Sequence, residues 1–217
     1  MSEPYHPPLL VRIVRSLLRP LGLERQSRSL YHRLTRRKQK WPHISETSKC
    51  RERLAPFCVG YGVDLGFGGD PITPGAIRVD LSTPYAKYSN LSVQLGGDIR
   101  RLHWFADGVL DFVYSSHALE DFENTEEVLR EWLRVLKPGG RLVIYCPDEQ
   151  VYSRHCTATG QPYNEHHVHA DFSLAFVKRA LERIGGVRIL HELPLTEIYS
   201  WDLVVEKLPL PPVNRQP

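Results

Sequence analysis

Cysteine is scarce in this sequence: Cys50, Cys58, Cys146 and Cys156 are the only four in 217 residues, and no CxxC spacing occurs. That argues against a zinc knuckle and against a disulfide-stapled secreted module, and it fits a reducing, cytoplasmic compartment. Long apolar runs are missing too. None approaches the roughly 20 residues that a membrane span needs, and Met1 to Pro8 has neither a basic n-region nor a small-residue cleavage site. The expectation is a soluble chain whose contact with a membrane is peripheral at most. In the basic head, residues 1–53, aromatic residues are not interleaved with the charges, as stacking platforms would require, so no nucleic-acid partner is expected. No internal repeat is present.

What remains is material for one domain: 41% hydrophobic and 24% charged residues in 217 suffice for one sizeable core and are too few for two full domains. The formal net charge of +3 hides an asymmetry, because residues 1–53 hold 13 Lys/Arg against 4 Asp/Glu while residues 54–217 hold 15 against 21. Head and body can therefore have different partners. In the head, Arg12, Arg15 and Arg19 share one face of a helix over 9–19 that Pro20 and Gly22 end. A second basic helix is expected from about Ser27 to Lys40, before Trp41-Pro42. Two uses compete for residues 9–40: a flap with its arginines in water, or docking on an anionic membrane surface. The expected division is a basic helical extension over 1–53, a catalytic domain over 54–208 and a proline-rich tail over 209–217.

From Cys58 the pattern becomes strands separated by helices. Strands are expected over 57–65, 76–80, 91–95, 109–114 and 141–145. Val128, Leu129, Trp132, Leu133 and Leu136 have helical spacing, with Asn124 or Thr125 as cap. Residues after 150 read as irregular until a helix from Ser173 to Ile184, which Gly185-Gly186 stops. Strands over 187–193 and 199–207 then form an antiparallel hairpin.

Chemistry-bearing residues fall at the strand ends. Asp64-Leu65-Gly66-Phe67-Gly68-Gly69 puts an acid and a glycine turn after the first strand, where the backbone can approach a ligand. Asp80 ends the second strand, where a carboxylate can accept from both hydroxyls of a ribose. Gly97-Asp98-Ile99 follows the third, where a carboxylate and a backbone N–H can meet a purine edge. Taken singly, each also reads as turn or capping chemistry. A nicotinamide site is disfavoured because Gly66-Phe67-Gly68-Gly69-Asp70-Pro71 lacks the final glycine of the dinucleotide fingerprint.

In this order the motifs resemble the class I S-adenosylmethionine-dependent methyltransferases, in the small branch often found beside glycan and cell-envelope enzymes. The likeness runs from Val63-Asp64-Leu65-Gly66 through Val79-Asp80, Gly97-Asp98-Ile99-Arg100 and Tyr114-Ser115-Ser116-His117-Ala118-Leu119-Glu120. It ends with Leu129-Arg130-Glu131-Trp132-Leu133-Arg134-Val135-Leu136-Lys137-Pro138-Gly139-Gly140-Arg141-Leu142. The resemblance implies an α/β three-layer sandwich with a seven-stranded, mostly parallel sheet whose last strand is antiparallel. It implies S-adenosylmethionine as cofactor, with Asp64, Gly66 and Gly68 at the methionine part, Asp80 and Leu81 at the ribose, and Asp98 and Ile99 at the adenine. Ser115 and Ser116 would border the methyl group and the acceptor. Two departures stand out: Asp70 replaces the third glycine, and Pro71 and Pro74 leave little room for the usual first helix, since an interior proline costs about 3 kcal/mol.

Transfer to a hydroxyl needs a base, and a histidine suits neutral pH. His167 and His169, in Asn164-Glu165-His166-His167-Val168-His169-Ala170-Asp171, are the first candidates, and His117 is a separate one. A cap at Asp171 and a core histidine at His169 are the plainer alternatives. The spacing fits no ordinary structural-zinc pattern, so no metal is expected. The function expected from sequence is O-methylation of a small-molecule or glycan acceptor. A methyltransferase-like binding or scaffold protein that has lost turnover is the alternative.

Overall fold

The structure, a computed structural model, describes residues 44–84 and 88–209. The expected helices over 9–19 and 27–40, and with them the membrane-docking reading of 9–40, lie outside the described residues, as does the tail beyond 209.

The described chain opens with α1 (Glu46–Leu54), whose N-cap Ser45 accepts from the Ser48 amide, and a 3-10 turn Ala55–Phe57 follows directly. A seven-stranded sheet comes next, built from β1 (Gly62–Leu65), β2 (Ile77–Asp80), β3 (Leu95–Gly96), β4 (Leu110–Ser116), β5 (Leu136–Pro147), β6 (Val187–Thr196) and β7 (Ser200–Lys207). Its order is β3-β2-β1-β4-β5-β7-β6. The pairs among β1 to β5 are parallel, while β7 runs antiparallel to both β5 and β6. Helices α2 (Thr125–Val135), α3 (Glu149–Thr159) and α4 (Leu174–Ile184) complete the elements.

Alternation along the central strands splits the core into two layers. Leu110 and Val113 of β4 join Leu142 and Ile144 of β5 under the apolar stripes of α2 and α4, where Val128, Leu129, Trp132, Val177 and Leu181 are buried. Phe112, Tyr114, Val143 and Tyr145 point the other way, against Cys50 and Leu54 of α1. No helix separates β1 from β2. The proline-containing connection instead buries Ile72 and Ala76 in that second layer, which α1 covers. This bears out the short first connection read from Pro71 and Pro74.

Four expectations need correction. The first strand starts at Gly62 rather than Phe57, because Ala55–Phe57 continue α1 as a 3-10 turn. The third strand shrinks to Leu95–Gly96. The stretch after 150 is helical, not irregular: Asp148 caps α3 by accepting from the Val151 amide, and Gly160 ends it in a left-handed conformation. The compact unit begins at Ile44, so residues 44–53, assigned to the extension, belong with the sheet. The Lys137-Pro138-Gly139-Gly140 turn lies within β5 and shifts its register against β4. A Cβ on Gly140 would lie 2.9 Å from the Lys137 carbonyl and 3.1 Å from that of Leu110, so glycine alone fits this crossing.

Candidate active site

A cleft of about 300 Å³ opens where β1, β2 and β4 end. Gly66 and Gly68 form part of its floor, Asp80 and Leu81 one side, and Asp98 and Ile99 the next. The turn is drawn tight by backbone bonds, the Gly66 amide donating to the Val79 carbonyl and the Tyr88 amide to that of Gly68. Gly66, Gly68 and Gly69 all have positive φ. A Cβ on Gly69 would lie 2.8 Å from the Ser89 amide nitrogen, so a side chain there would push the loop apart.

Asp80 is 8% exposed; its Oδ2 accepts from the Gly68 amide at 3.0 Å and its Oδ1 from the Leu81 amide at 2.7 Å. Each carboxylate oxygen can accept once more. Burial raises this carboxyl above its ordinary value, against the pull of both bonds. Asp98 is held below its ordinary value, chiefly by the Arg100 guanidinium that donates to both its oxygens. Ile99 is tied into the core, because its carbonyl accepts from the Trp132 indole at 2.8 Å.

Two expected cofactor contacts do not line the cleft. Asp64 is 1% exposed and its carboxylate accepts from the Ile72 amide at 2.6 Å, stitching the connection that replaces the first helix to β1. Burial pushes the Asp64 carboxyl up to about 8. Ser115 is fully buried and donates to the Leu65 carbonyl at 3.1 Å, tying β4 to β1; its neighbour Ser116 faces the cleft. Asp70, at the third-glycine position, accepts from the Ser45 hydroxyl and from Arg51. The residue that departs from the family pattern thus fastens the start of α1 to the glycine turn, which brings Glu46 and Thr47 to the cleft.

The three histidines separate clearly. His169 is not at the cleft: its Nε2 lies 2.9 Å from the Phe122 carbonyl and 3.1 Å from the Thr125 hydroxyl, and its ring packs against Phe172 and Phe176. It fastens its loop to the start of α2, so the base assignment to His169 is withdrawn. His117 lines the cleft with its Nε2 3.2 Å from the Ser200 hydroxyl and 3.3 Å from Glu46 Oε2. Burial lowers its pKa to about 4 although Glu46 opposes this, so the ring is neutral at pH 7. His167 also lines the cleft, and its Nδ1 lies 2.6 Å from Glu149 Oε2.

The loop carrying His167 is pinned at both ends, the Asn164 amide donating to the Tyr152 hydroxyl and the Val168 amide to the Glu120 carbonyl. A carboxylate beside Nδ1 keeps the proton on that nitrogen, which leaves Nε2 as the lone-pair side of the neutral ring. Burial works to lower the His167 pKa, but the Glu149 bond and the charges of Glu120, Glu149 and Asp121 outweigh it and raise the value above 6.5. Sequence reading missed Glu149, Tyr152 and Tyr199 at this site. The signal was there: Asp148 as an N-cap and Gly160 as a C-terminal glycine frame a helix that places Glu149 in its first turn.

Comparison with known proteins bears on the fold and on part of the chain. Residues 72–144 match the family model described as a methyltransferase domain. A sterol 4-C-methyltransferase from Caenorhabditis elegans is 25% identical over 114 residues, 48% of this chain and 34% of that protein. Over 51 residues the identity to a demethylmenaquinone methyltransferase from Mycolicibacterium paratuberculosis is 47%, across 24% of this chain and 22% of that protein. The chain thus spans about a third or less of the length of these curated relatives. An S-adenosylmethionine-dependent methyltransferase from Mesorhizobium loti superposes with a TM-score of 0.54 at 17% identity, over 75% of this chain and 98% of that one, and so shares the fold.

The residues suit the family's cofactor: a glycine turn that admits no side chain, a buried carboxylate with acceptor capacity to spare for a diol, and an apolar wall at Ile99. Residues 72–144 thus match a methyltransferase domain, and the order of the sheet is that of the Rossmann-like fold which S-adenosylmethionine-dependent methyltransferases share.

Proposed function

We propose that this chain transfers a methyl group from S-adenosylmethionine to a hydroxyl of a small-molecule or glycan acceptor, with His167 as general base. The observation that carries this reading is the His167–Glu149 pair at 2.6 Å on the cleft wall, an arrangement that fixes the imidazole and stabilises the imidazolium formed on proton uptake. Bound there, the cofactor supplies an electrophilic methyl for in-line displacement. Gly66, Gly68, Asp80, Leu81, Asp98 and Ile99 are the residues that would hold it. The chain's own work is then to align the acceptor and take its proton.

The acceptor side supports a neutral, hydroxylated molecule. Tyr88, Tyr152, Tyr199 and Phe122 give it flat apolar faces with hydrogen-bonding edges, and no Lys or Arg lines the cleft among the described residues. The two sequence relatives are named for a sterol and for demethylmenaquinone, both small molecules. The scaffold alternative is weakened by Asp70, which is engaged with Ser45 and Arg51 and does not line the cleft.

The test is transfer of labelled methyl into a panel of hydroxylated acceptors. The expected result is incorporation by the natural chain and a loss of about 100-fold or more in His167→Ala, the scale of a general base. Undiminished turnover in that variant overturns the assignment.

A further inference from the structure

Behind the two cleft histidines lies an acid that the proposed reaction does not yet use. Glu120 sits in the 3-10 turn Leu119–Asp121, is 1% exposed, and neither of its side-chain oxygens accepts from an N–H or O–H among the described residues; the Cys146 thiol is the side-chain donor against it. Leaving a buried carboxyl with only a weak thiol donor costs free energy that a merely structural acid avoids by stronger bonding. Its Oε1 lies 3.6 Å from His167 Nε2 and 3.7 Å from His117 Nδ1. Both are the ring nitrogens not otherwise bonded, because His167 Nδ1 is taken by Glu149 and His117 Nε2 by Ser200 and Glu46. One oxygen thus stands between two vacant imidazole positions, a little beyond direct bonding distance from each. The Glu120 backbone carbonyl also accepts from the Val168 amide, fixing the loop that carries His167.

We propose that Glu120 is a positioning residue that shares a single proton with His167 and His117, and thereby sets when His167 is free to act as base. The inference rests on the reading of His167 as that base. The proton balance is simple. With one proton in the group, it resides on Glu120 while both rings are neutral, or on a ring while Glu120 is ionised. Once the group has released that proton, Glu120 is ionised and both rings are neutral; the proton of the acceptor O–H then goes to His167 Nε2, and the ionised Glu120 beside it balances the new imidazolium charge. The proton then leaves the group to water in the cleft.

Every facing group bears on this balance. On β5, the Cys146 thiol is pushed well above its ordinary value by burial and by Glu120, so it stays neutral. Asp121 adds negative charge from the same turn, and Glu149 from α3, itself bonded to the Tyr163 hydroxyl. Beyond His117, Glu46 and Lys49 of α1 form an ion pair at 2.6 Å. Burial raises the Glu120 carboxyl to about 8 and the charge of His167 opposes this, which agrees with a group that keeps a proton near neutrality.

The experiment is a pH titration of the full chain followed by the imidazole nitrogens and the Glu side-chain carboxyl carbons in magnetic resonance. In the natural protein, His167 and Glu120 should report a common inflection, as coupled sites do. In Glu120→Gln the His167 midpoint should fall by about one pH unit or more, a tenfold loss of proton affinity. A folded Glu120→Gln protein with an unmoved His167 midpoint overturns the proposal. So does a Glu120 carbon in the natural protein that titrates once, in the ordinary carboxylate range, without responding where His167 does; this arm decides if the variant does not fold. Binding of S-adenosylhomocysteine is measured on the same samples. Its absence from the natural protein counts against the proposed function, while the titration still judges the proton-sharing group.

Discussion

Trp132→Phe is the perturbation that most sharply couples the core to the site. Trp132 is fully buried on the inner face of α2, and its indole N–H donates to the Ile99 carbonyl at 2.8 Å, just where the apolar wall of the cleft is formed. Phenylalanine removes the donor and strands a buried carbonyl, at about 1–3 kcal/mol. The smaller ring also leaves a void, adding on the order of 1 kcal/mol if the site half collapses. The total is about 2–4 kcal/mol, which for a domain of this size corresponds to a fall of roughly 4–16 °C in Tm. Urea unfolding gives the stability change, and calorimetric titration with S-adenosylhomocysteine gives the consequence at the site. Affinity should fall more than in a control such as Leu181→Ala, whose side chain is also buried in the same core layer but bonds nothing in the cleft wall. A change below about 0.5 kcal/mol, within the range of ordinary surface substitutions, would refute the claim that this bond holds the Ile99 wall.

Three further outcomes are expected. Asp70→Ala removes the carboxylate that Ser45 and Arg51 share; because that pair is partly exposed, stability should drop by only about 1 kcal/mol, while affinity for S-adenosylhomocysteine falls severalfold as the start of α1 loosens. His169→Ala should leave methyl transfer intact and cost about 1–2 kcal/mol in denaturant unfolding, from the lost bonds to Phe122 and Thr125. Asp64→Asn tests burial of a charge. Its folded pKa of about 8 lies above the ordinary unfolded value, so the stability this carboxyl contributes is fully present at low pH and is lost as pH rises through 8. Relative to the asparagine variant, the natural protein should therefore weaken between about pH 4 and pH 8, by up to about 5 kcal/mol; parallel unfolding profiles across that window would contradict this.

The parallel half of the sheet was legible because its strands are short apolar runs closed by Asp or Gly, and α2 and α4 because their apolar stripes are strong. The start of β1 was not, since Phe57 ends a 3-10 turn half-buried and Cys58 follows it buried, neither in a strand, and an apolar run cannot tell the two apart. Helix α3 escaped because its buried residues reduce to Glu149, Tyr152 and Cys156, too few to set a period against so many polar neighbours. Motif position located the cleft but not which member of each motif faces it: β4 turns Ser115 toward β1 and Ser116 toward the cleft, a matter of strand alternation and register. The acids that support the histidines, Glu120 and Glu149, come from elements 29 residues apart in sequence and meet only through the fold.

The central claim, that the turn at Gly66 to Gly69 with Asp80 holds S-adenosylmethionine, is tested most directly by calorimetric titration of the full chain with S-adenosylhomocysteine. The account predicts micromolar binding by the natural protein and a loss of at least about tenfold, or 1.4 kcal/mol, in Asp80→Ala. No binding by the folded natural protein, or undiminished affinity in that variant, would contradict it.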